Sequence, residues 1–205
     1  MRVIASLLLA LFMVSFGAAQ AAESQSPQAL VRSTSDQVLA RLKADHDDLK
    51  AHPEKVYGLV EDLVLPHFDF HRIARWVLGK YSRRASRAQM EEFTKEFRML
   101  LVRTYATALL QYTNQQIDYL PLRMRPGATD VTVKTEIQQP GAFPIPIDYD
   151  LYRPDGSSEW KVYDVSIDSV SLVGNYRTTF AGEIRDKGLD ALIKSLARRN
   201  REAGQ

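Results

Sequence analysis

Cysteine is absent from all 205 residues of the chain. Without a thiol, the protein can form no disulfide, has no thiolate nucleophile and offers no cysteine ligand to zinc. A strong charge of one sign is also absent, because 27 lysines and arginines are balanced by 25 aspartates and glutamates. Nucleic-acid-binding domains usually carry a marked basic excess or stripe, so this balance argues against nucleic acid as a partner.

The recognisable catalytic and metal-binding motifs are missing too. The sequence has no Gly-x-Ser-x-Gly, no Walker motif and no dinucleotide fingerprint. His67 and His71 have the i,i+4 spacing of a metal pair, but no third ligand follows at a recognisable spacing, and His-Glu-x-x-His is absent. We therefore expect no metal, one capping histidine and one surface histidine.

Four aspartates in the second half of the chain are the remaining candidates for acid–base chemistry. Asp148 and Asp150 lie two residues apart on a predicted strand, which places both carboxylates on one face that we expect to be solvated. Asp164 and Asp168 flank the junction between a strand and a helix, where we expect structural capping. The sequence predicts no enzyme and no catalytic residue.

The first 22 residues have the pattern of a secretory signal peptide. Arg2 supplies the positive start, Val3 to Phe16 form an apolar segment, and Ala18 to Ala22 offer a small-residue cleavage site. An uncleaved membrane anchor is the alternative, although the apolar segment is shorter than the ~20 residues a span needs. We expect an exported, periplasmic protein whose single domain covers residues 23–205.

The period of the apolar residues changes along the chain. Spacings of three and four predict helices over residues 27–114, alternation predicts strands over 116–168, and helical spacing returns over 171–198. Such segregation is typical of an α+β fold in which helices cover an antiparallel sheet. We expect four strands, joined by short turns.

Two stretches, Phe68 to Tyr81 and Val162 to Phe180, are dense in apolar and aromatic side chains. Neither stretch holds a nucleophile with a base or a set of metal ligands. One interpretation is that these stretches form the wall of an apolar pocket, and the other is that they form an ordinary filled core.

Motifs spread over nearly the whole mature chain resemble those of the MlaC family, the periplasmic phospholipid-binding proteins also called toluene-tolerance proteins. The matching residues are Phe68-Asp69-Phe70, Ile73-Ala74, Val77-Leu78-Gly79, Gln89, Phe93, Phe97, Leu100 to Tyr105, Val162-Tyr163-Asp164-Val165, Val170-Ser171-Leu172-Val173 and Asn175-Tyr176-Arg177. Two positions depart from the family pattern: Ser169, where Gly is common, and Ser82, where an aromatic residue is common.

The resemblance implies a twisted antiparallel sheet like that of NTF2-like proteins, with helices enclosing an apolar pocket. It implies a shuttle that carries glycerophospholipid between the outer and inner membranes and maintains outer-membrane lipid asymmetry. The cargo is a bound phospholipid, with no other cofactor. Expected partners of this monomer are an inner-membrane ABC transporter complex with MCE domains and an outer-membrane lipoprotein–porin complex. A hopanoid carrier of the same family, a small enzyme on the same scaffold and a structural adaptor remain alternatives.

Two groups of residues become site candidates under this resemblance. Those expected to contact lipid are Phe70, Ile73, Trp76, Val77, Leu101, Tyr105, Tyr149, Val165, Val173, Tyr176 and Phe180. Lys80, Arg83 and Arg84 form a basic cluster that we expect to dock partners, the alternative being an ordinary solvated surface.

Overall fold

The computed structural model describes residues 25–111 and 115–202. The predicted signal peptide and the end of the predicted helical segment near Asn114 lie outside these residues. Seven α-helices are described, in the order α1 Pro27–Ala44, α2 His46–Ala51, α3 Lys55–Leu63, α4 Phe70–Leu78, α5 Arg87–Tyr105, α6 Leu172–Lys187 and α7 Leu189–Glu202. Helix α7 therefore extends to Glu202, beyond the expected end of the helical segment at residue 198.

Side-chain caps begin several of these helices where the sequence predicts them. The Ser26 hydroxyl accepts from the Ala29 N–H at 3.1 Å, next to Pro27 at the first helical position. Ser86 and Gln89 form a complete capping box at the start of α5. The Asp69 carboxylate accepts from the Arg72 N–H at 2.8 Å and begins α4.

The long helix is shorter than predicted. Helix α5 ends at Tyr105, and the chain continues as a 3₁₀ helix over Ala106–Gln111. A 3₁₀ helix has three residues per turn, so Ala106 and Leu109 share one face. Both side chains line the cavity described below. The change from α-helix to 3₁₀ helix therefore places two apolar side chains, three residues apart, on the cavity wall.

The sheet has five antiparallel strands, one more than expected. The strands are β1 Ile117–Tyr119, β2 Asp130–Ile137, β3 Ile145–Tyr152, β4 Lys161–Ile167 and β5 Val170–Ser171, and neighbours in sequence are neighbours in space. Strand β5 forms because Asp168 and Ser169 adopt positive φ angles of 49° and 66° and reverse the chain in two residues. Two positive φ angles are the signature of a type I′ hairpin turn. The resemblance to NTF2-like sheets stays a prediction.

A β-bulge interrupts the pairing of the two strands β3 and β4. Leu151 pairs with Val162, whereas the adjacent Asp150 pairs with Asp164, so Tyr163 is an extra residue on β4. The bulge leaves Val162 and Val165 opposite Leu151 and Tyr149, on the same face of the sheet. That face is the one that the N-terminal helices cover.

One cluster of buried side chains is rich in aromatic rings, and we call it the aromatic core. It lies among α4, α5, α6 and α7 and is centred on Phe93, Phe97 and Phe180, each at most 1% exposed. Ring centroids are 5.5 Å apart for Phe93 and Phe97, and 5.8 Å apart for Phe97 and Phe180. Edge-to-face and stacked arrangements at such distances fill space efficiently.

Candidate functional site

A cavity of about 330 Å³ lies between the covered face of the sheet and the helices α1, α3 and α5. This volume is at the lower end of the roughly 300–1,000 Å³ found for ligand pockets. Its wall is almost entirely apolar, and most of the apolar side chains on it are only partly buried because they face the open space. The arrangement offers an apolar ligand a place out of water.

The sheet side of the cavity follows from strand alternation. Tyr149 and Ile147 on β3 share a face with Ile137 on β2 and with Val165 and Ile167 on β4, as the register requires. All five side chains line the cavity. Their polar neighbours point away: Asp148 forms an ion pair with Lys134 at 3.3 Å, and the Thr132 hydroxyl donates to Asp150 at 2.6 Å. Both aspartates are half-buried rather than solvated as expected, and burial raises the pKa of Asp150.

The wall contains few polar side chains. Two of them, Tyr149 and His67, have pKa values shifted in the direction that favours the neutral form. Burial raises the pKa of the Tyr149 hydroxyl to about 12. Burial, followed by the nearby charge of Lys161, lowers the pKa of His67. Both shifts leave these side chains uncharged near neutral pH, so they add little electrostatic cost to the burial of an apolar ligand.

Asp164 is the one acidic side chain of the wall, and its oxygens are already engaged. Its carboxylate accepts from the Val165 N–H at 2.8 Å, from the Val173 N–H at 3.1 Å and from the Ser171 hydroxyl. These bonds tie β4 and β5 to the start of α6, as the predicted capping role requires.

Seven of the eleven predicted contact residues line the cavity. They are Phe70, Ile73, Leu101, Tyr105, Tyr149, Val165 and Val173. They come from α4, α5, β3, β4 and α6, which the fold brings together around one space.

The other four predicted contact residues lie elsewhere. Val77 and Phe180 are 1% exposed in the aromatic core, and the Tyr176 ring packs against Phe97 with centroids 5.0 Å apart. Trp76 is 44% exposed on the outer side of α4, 5.0 Å from the Tyr163 ring. An apolar stripe on a helix identifies a buried face, but not whether that face meets a filled core or a cavity.

Sequence reasoning missed the contribution of the N-terminal helices and of strands β1 and β2, whereas Phe68, Val162, Ile167 and Leu172 belong to the two stretches proposed as a pocket wall. The additional wall residues include Leu30, Val31, Val38, Leu39, Val60, Val64, Leu65, Phe68, Val102, Leu109, Ile117, Ile137, Ile147, Val162, Ile167 and Leu172. The signal for the strand residues was the alternation itself, which placed the isoleucines of β3 on the face of Tyr149. No comparable signal separated the helical residues from ordinary core.

The predicted basic cluster is exposed. Lys80 and Arg83 belong to the 3₁₀ helix Gly79–Arg83, and Arg84 follows it. No ion pair to a carboxylate is found for these three side chains within the described residues. Lys80 instead lies over the Tyr81 ring, 5.2 Å from its centroid.

His67 and His71, which have the spacing of a metal pair, lie in different environments. His67 lines the cavity and His71 is exposed. Across residues 25–111 and 115–202, no group of three or more His, Asp or Glu side chains could hold a metal ion. Within the same ranges, no helix is both long enough and apolar enough to cross a bilayer.

Comparison with known proteins gives a consistent result. The family model described as MlaC protein matches residues 32–198. The intermembrane phospholipid transport system binding protein MlaC of Haemophilus influenzae is 28% identical over 172 residues, which cover 83% of this chain and 80% of that relative. The toluene tolerance protein ttg2D of Pseudomonas putida is 30% identical over 168 residues, covering 82% of this chain and 77% of the relative.

A solved structure matches the fold over most of the chain. The phospholipid-binding protein from Ralstonia solanacearum, solved in complex with a phospholipid, superposes with a TM-score of 0.79 at 32% identity. The match covers 90% of this chain and 100% of that chain. With the family model spanning residues 32–198, these matches lead to one conclusion: the chain belongs to the MlaC family.

Proposed function

We propose that this protein carries a glycerophospholipid through the periplasm, between the outer and inner membranes, and so helps to maintain outer-membrane lipid asymmetry. The observation that carries the proposal is the apolar cavity of about 330 Å³. The phospholipid bound to the Ralstonia solanacearum relative supports the identity of the cargo. The proposal includes no catalytic step.

The physical task of such a carrier is to keep acyl chains out of water. Two chains with about 30 methylenes would cost on the order of 25 kcal/mol to expose, at ~0.8 kcal/mol for each methylene. A bilayer already buries these chains, so transfer into an apolar cavity can be close to balanced in free energy. We therefore expect weak head-group selectivity, because the tails account for most of the burial and the head can stay in water.

A carrier of this kind needs partners that shield the tails during loading and release. We propose that the protein works as a monomer and docks in turn on an outer-membrane lipoprotein–porin complex and on an inner-membrane ABC transporter complex with MCE domains. The unpaired Lys80, Arg83 and Arg84 support an electrostatic contribution to docking, which speeds association more than it strengthens binding.

The cargo is tested by native mass spectrometry and lipid extraction of the protein purified from its own cell envelope. We expect a mass shift that corresponds to glycerophospholipid, with a mixture of head groups. Repeated spectra of lipid-free protein under mild conditions would contradict the proposal, and a hopanoid in the extract would replace phospholipid as the cargo.

The docking role is tested by reversing the charges of Lys80, Arg83 and Arg84 together. We expect slower lipid transfer to a reconstituted partner complex and a weaker dependence of the rate on salt, while lipid content and melting temperature stay unchanged. Wild-type transfer rates at both low and high salt would remove this cluster from the mechanism.

A further inference from the structure

The loop between β2 and β3 exposes an aromatic side chain to an unusual degree. Phe143 is 92% exposed, the highest value among the exposed large hydrophobic side chains of the described residues. No charged residue occurs from Ile137 to Ile147, the segment that contains this loop. A single exposed ring is not unusual by itself, but an exposed apolar surface that continues into a cavity indicates a binding site, so the position of this loop matters.

The backbone of this loop is restricted on both sides of Phe143. Pro140 and Gly141 form a tight turn in which the Ala142 N–H donates to the Gln139 carbonyl at 3.3 Å and Gly141 has a φ of 76°. Proline followed by a residue with positive φ is the signature of a type II turn. Pro144 then restricts the backbone of Phe143 itself, so the exposed ring stands on a restricted backbone.

Strand register places this loop at one end of the cavity. Ile137 and Ile147, on the two strands that the loop connects, both line the cavity. The turn between β4 and β5 lies at the same end, because the Asp168 N–H donates to the Pro146 carbonyl at 2.9 Å. That turn leads into Val170, which is 55% exposed. Two exposed apolar side chains therefore flank the end of an apolar cavity.

We propose that this end of the molecule, with Phe143 at its tip and Val170 beside it, contacts the lipid bilayer directly. The inference rests on the proposed function, because only a lipid carrier has a reason to place an apolar contact beside its cavity. Phe143 would enter the boundary between head groups and acyl chains, where aromatic rings of peripheral proteins lie. A lipid could then move between bilayer and cavity along a continuous apolar path.

A bilayer is the occupant that suits this surface best. The β2–β3 loop supplies no charged group for an acidic or basic protein partner, and one exposed carboxylate, that of Asp168, lies in the adjacent turn. A single ring on a hairpin tip can enter a fluid layer without a shaped complement on the other side. The surface also differs in chemistry from the basic cluster at Lys80, Arg83 and Arg84, so the two contacts can be separated by their salt dependence.

The experiment measures lipid exchange with bare vesicles of neutral, deuterated phosphatidylcholine. Full-length mature protein, purified with its cargo, is incubated with the vesicles, and native mass spectrometry follows the replacement of cargo by the deuterated lipid. We expect Phe143→Ser to slow exchange by roughly tenfold, since burial of a phenylalanine side chain changes an equilibrium by at least about that factor. The loss should be equal at low and high salt, and Phe143→Trp should restore the wild-type rate or exceed it.

Met124→Ser is the matched control, because Met124 is 45% exposed on the β1–β2 connection, at the opposite end of the meander. This variant should exchange at the wild-type rate, and all variants should share one melting temperature. Wild-type exchange by Phe143→Ser would overturn the proposal, as would a loss that appears only when a partner complex is added, since the occupant would then be a protein. A wild-type protein that carries no lipid at all would instead overturn the proposed function.

Discussion

The aromatic core and the cavity wall are both apolar and share helices α5 and α6, yet one is filled and the other is open. In the aromatic core, rings from different helices meet edge to face, as Phe93 and Phe180 do at 6.0 Å. In the cavity wall, aliphatic side chains such as Ile147 and Val165 stand on strands and face helix α1 across a gap. Ile73, Phe97 and Val173 belong to both regions.

The difference shows that hydrophobicity decides which side chains leave water, while their shape and their partners decide whether space remains. Flat rings on adjacent helices can tilt to fill the interior, because several ring orientations are nearly equal in energy. Branched side chains on a strand extend a fixed distance from the sheet and have few rotamers. A space between such a sheet and a helix stays open unless the helix side chains reach across it.

The largest test of this comparison removes a ring from the aromatic core. Phe180→Ala should lower the free energy of unfolding by about 3–5 kcal/mol, since its neighbours cannot collapse into the space that the ring leaves. Urea denaturation measures this loss, and lipid content should stay close to that of the wild type. Val165→Ala, the control in the cavity wall, should lose much less. Equal losses for the two variants would mean that the wall is packed as tightly as the core.

A second test adds a ring to each region. Val165→Trp should place an indole in the cavity and lower lipid occupancy, with a melting temperature near that of the wild type. Val77→Trp, in the filled core, should overpack and cost about 1–3 kcal/mol of stability. Native mass spectrometry gives the occupancy and thermal unfolding the stability. If Val165→Trp lost stability and kept its lipid, Val165 would belong to a filled core and not to the wall of a cavity.

The smallest expected effect concerns pH and comes from His67, the histidine of the cavity wall. Burial lowers the pKa of His67, helped by the charge of Lys161 and opposed by that of Glu159. Folded protein therefore binds fewer protons at this site than unfolded protein, so stability falls as the pH drops below about 6.5.

The check is the melting temperature at about pH 7.5 and about pH 5, on either side of the ordinary histidine pKa. His67→Gln should reduce the difference between the two values. An unchanged difference in this variant would assign the acid sensitivity to other groups.

Local chemistry explains how much of the fold could be predicted from the sequence. Ser26 with Pro27, and Ser86 with Gln89, begin helices through bonds between near neighbours, so the pattern alone is sufficient. Strand faces follow from alternation, so Ile147 shares the face of Tyr149, which was a predicted lipid contact. The fifth strand could not be predicted, because it depends on positive φ angles at Asp168 and Ser169 that non-glycine residues adopt only in a supporting context.

The apolar pattern identified buried faces of the helices, but it did not distinguish a face that meets the cavity from one that meets the filled core. Ile73 and Val77 lie four residues apart on α4, yet only Ile73 reaches the cavity, and Val77 is enclosed by the aromatic core. Trp76 is exposed because it lies on the outer side of α4. There its ring lies near the Arg72 guanidinium and the Tyr163 ring. Such distinctions depend on which element covers each face, and that information is not local.

The bulge at Tyr163 has a consequence for how this chain can change over time. Val162 and Val165 are separated by an odd number of steps, so in a regular strand they would face opposite sides, and only the extra residue lets both line the cavity. Substitutions in β4 can alter the shape of the cavity gradually, whereas the loss or gain of one residue there would exchange the inner and outer faces of the rest of the strand. A change of side-chain size in this segment therefore alters the volume of the cavity, whereas a change of its length would remove part of the inward-facing wall.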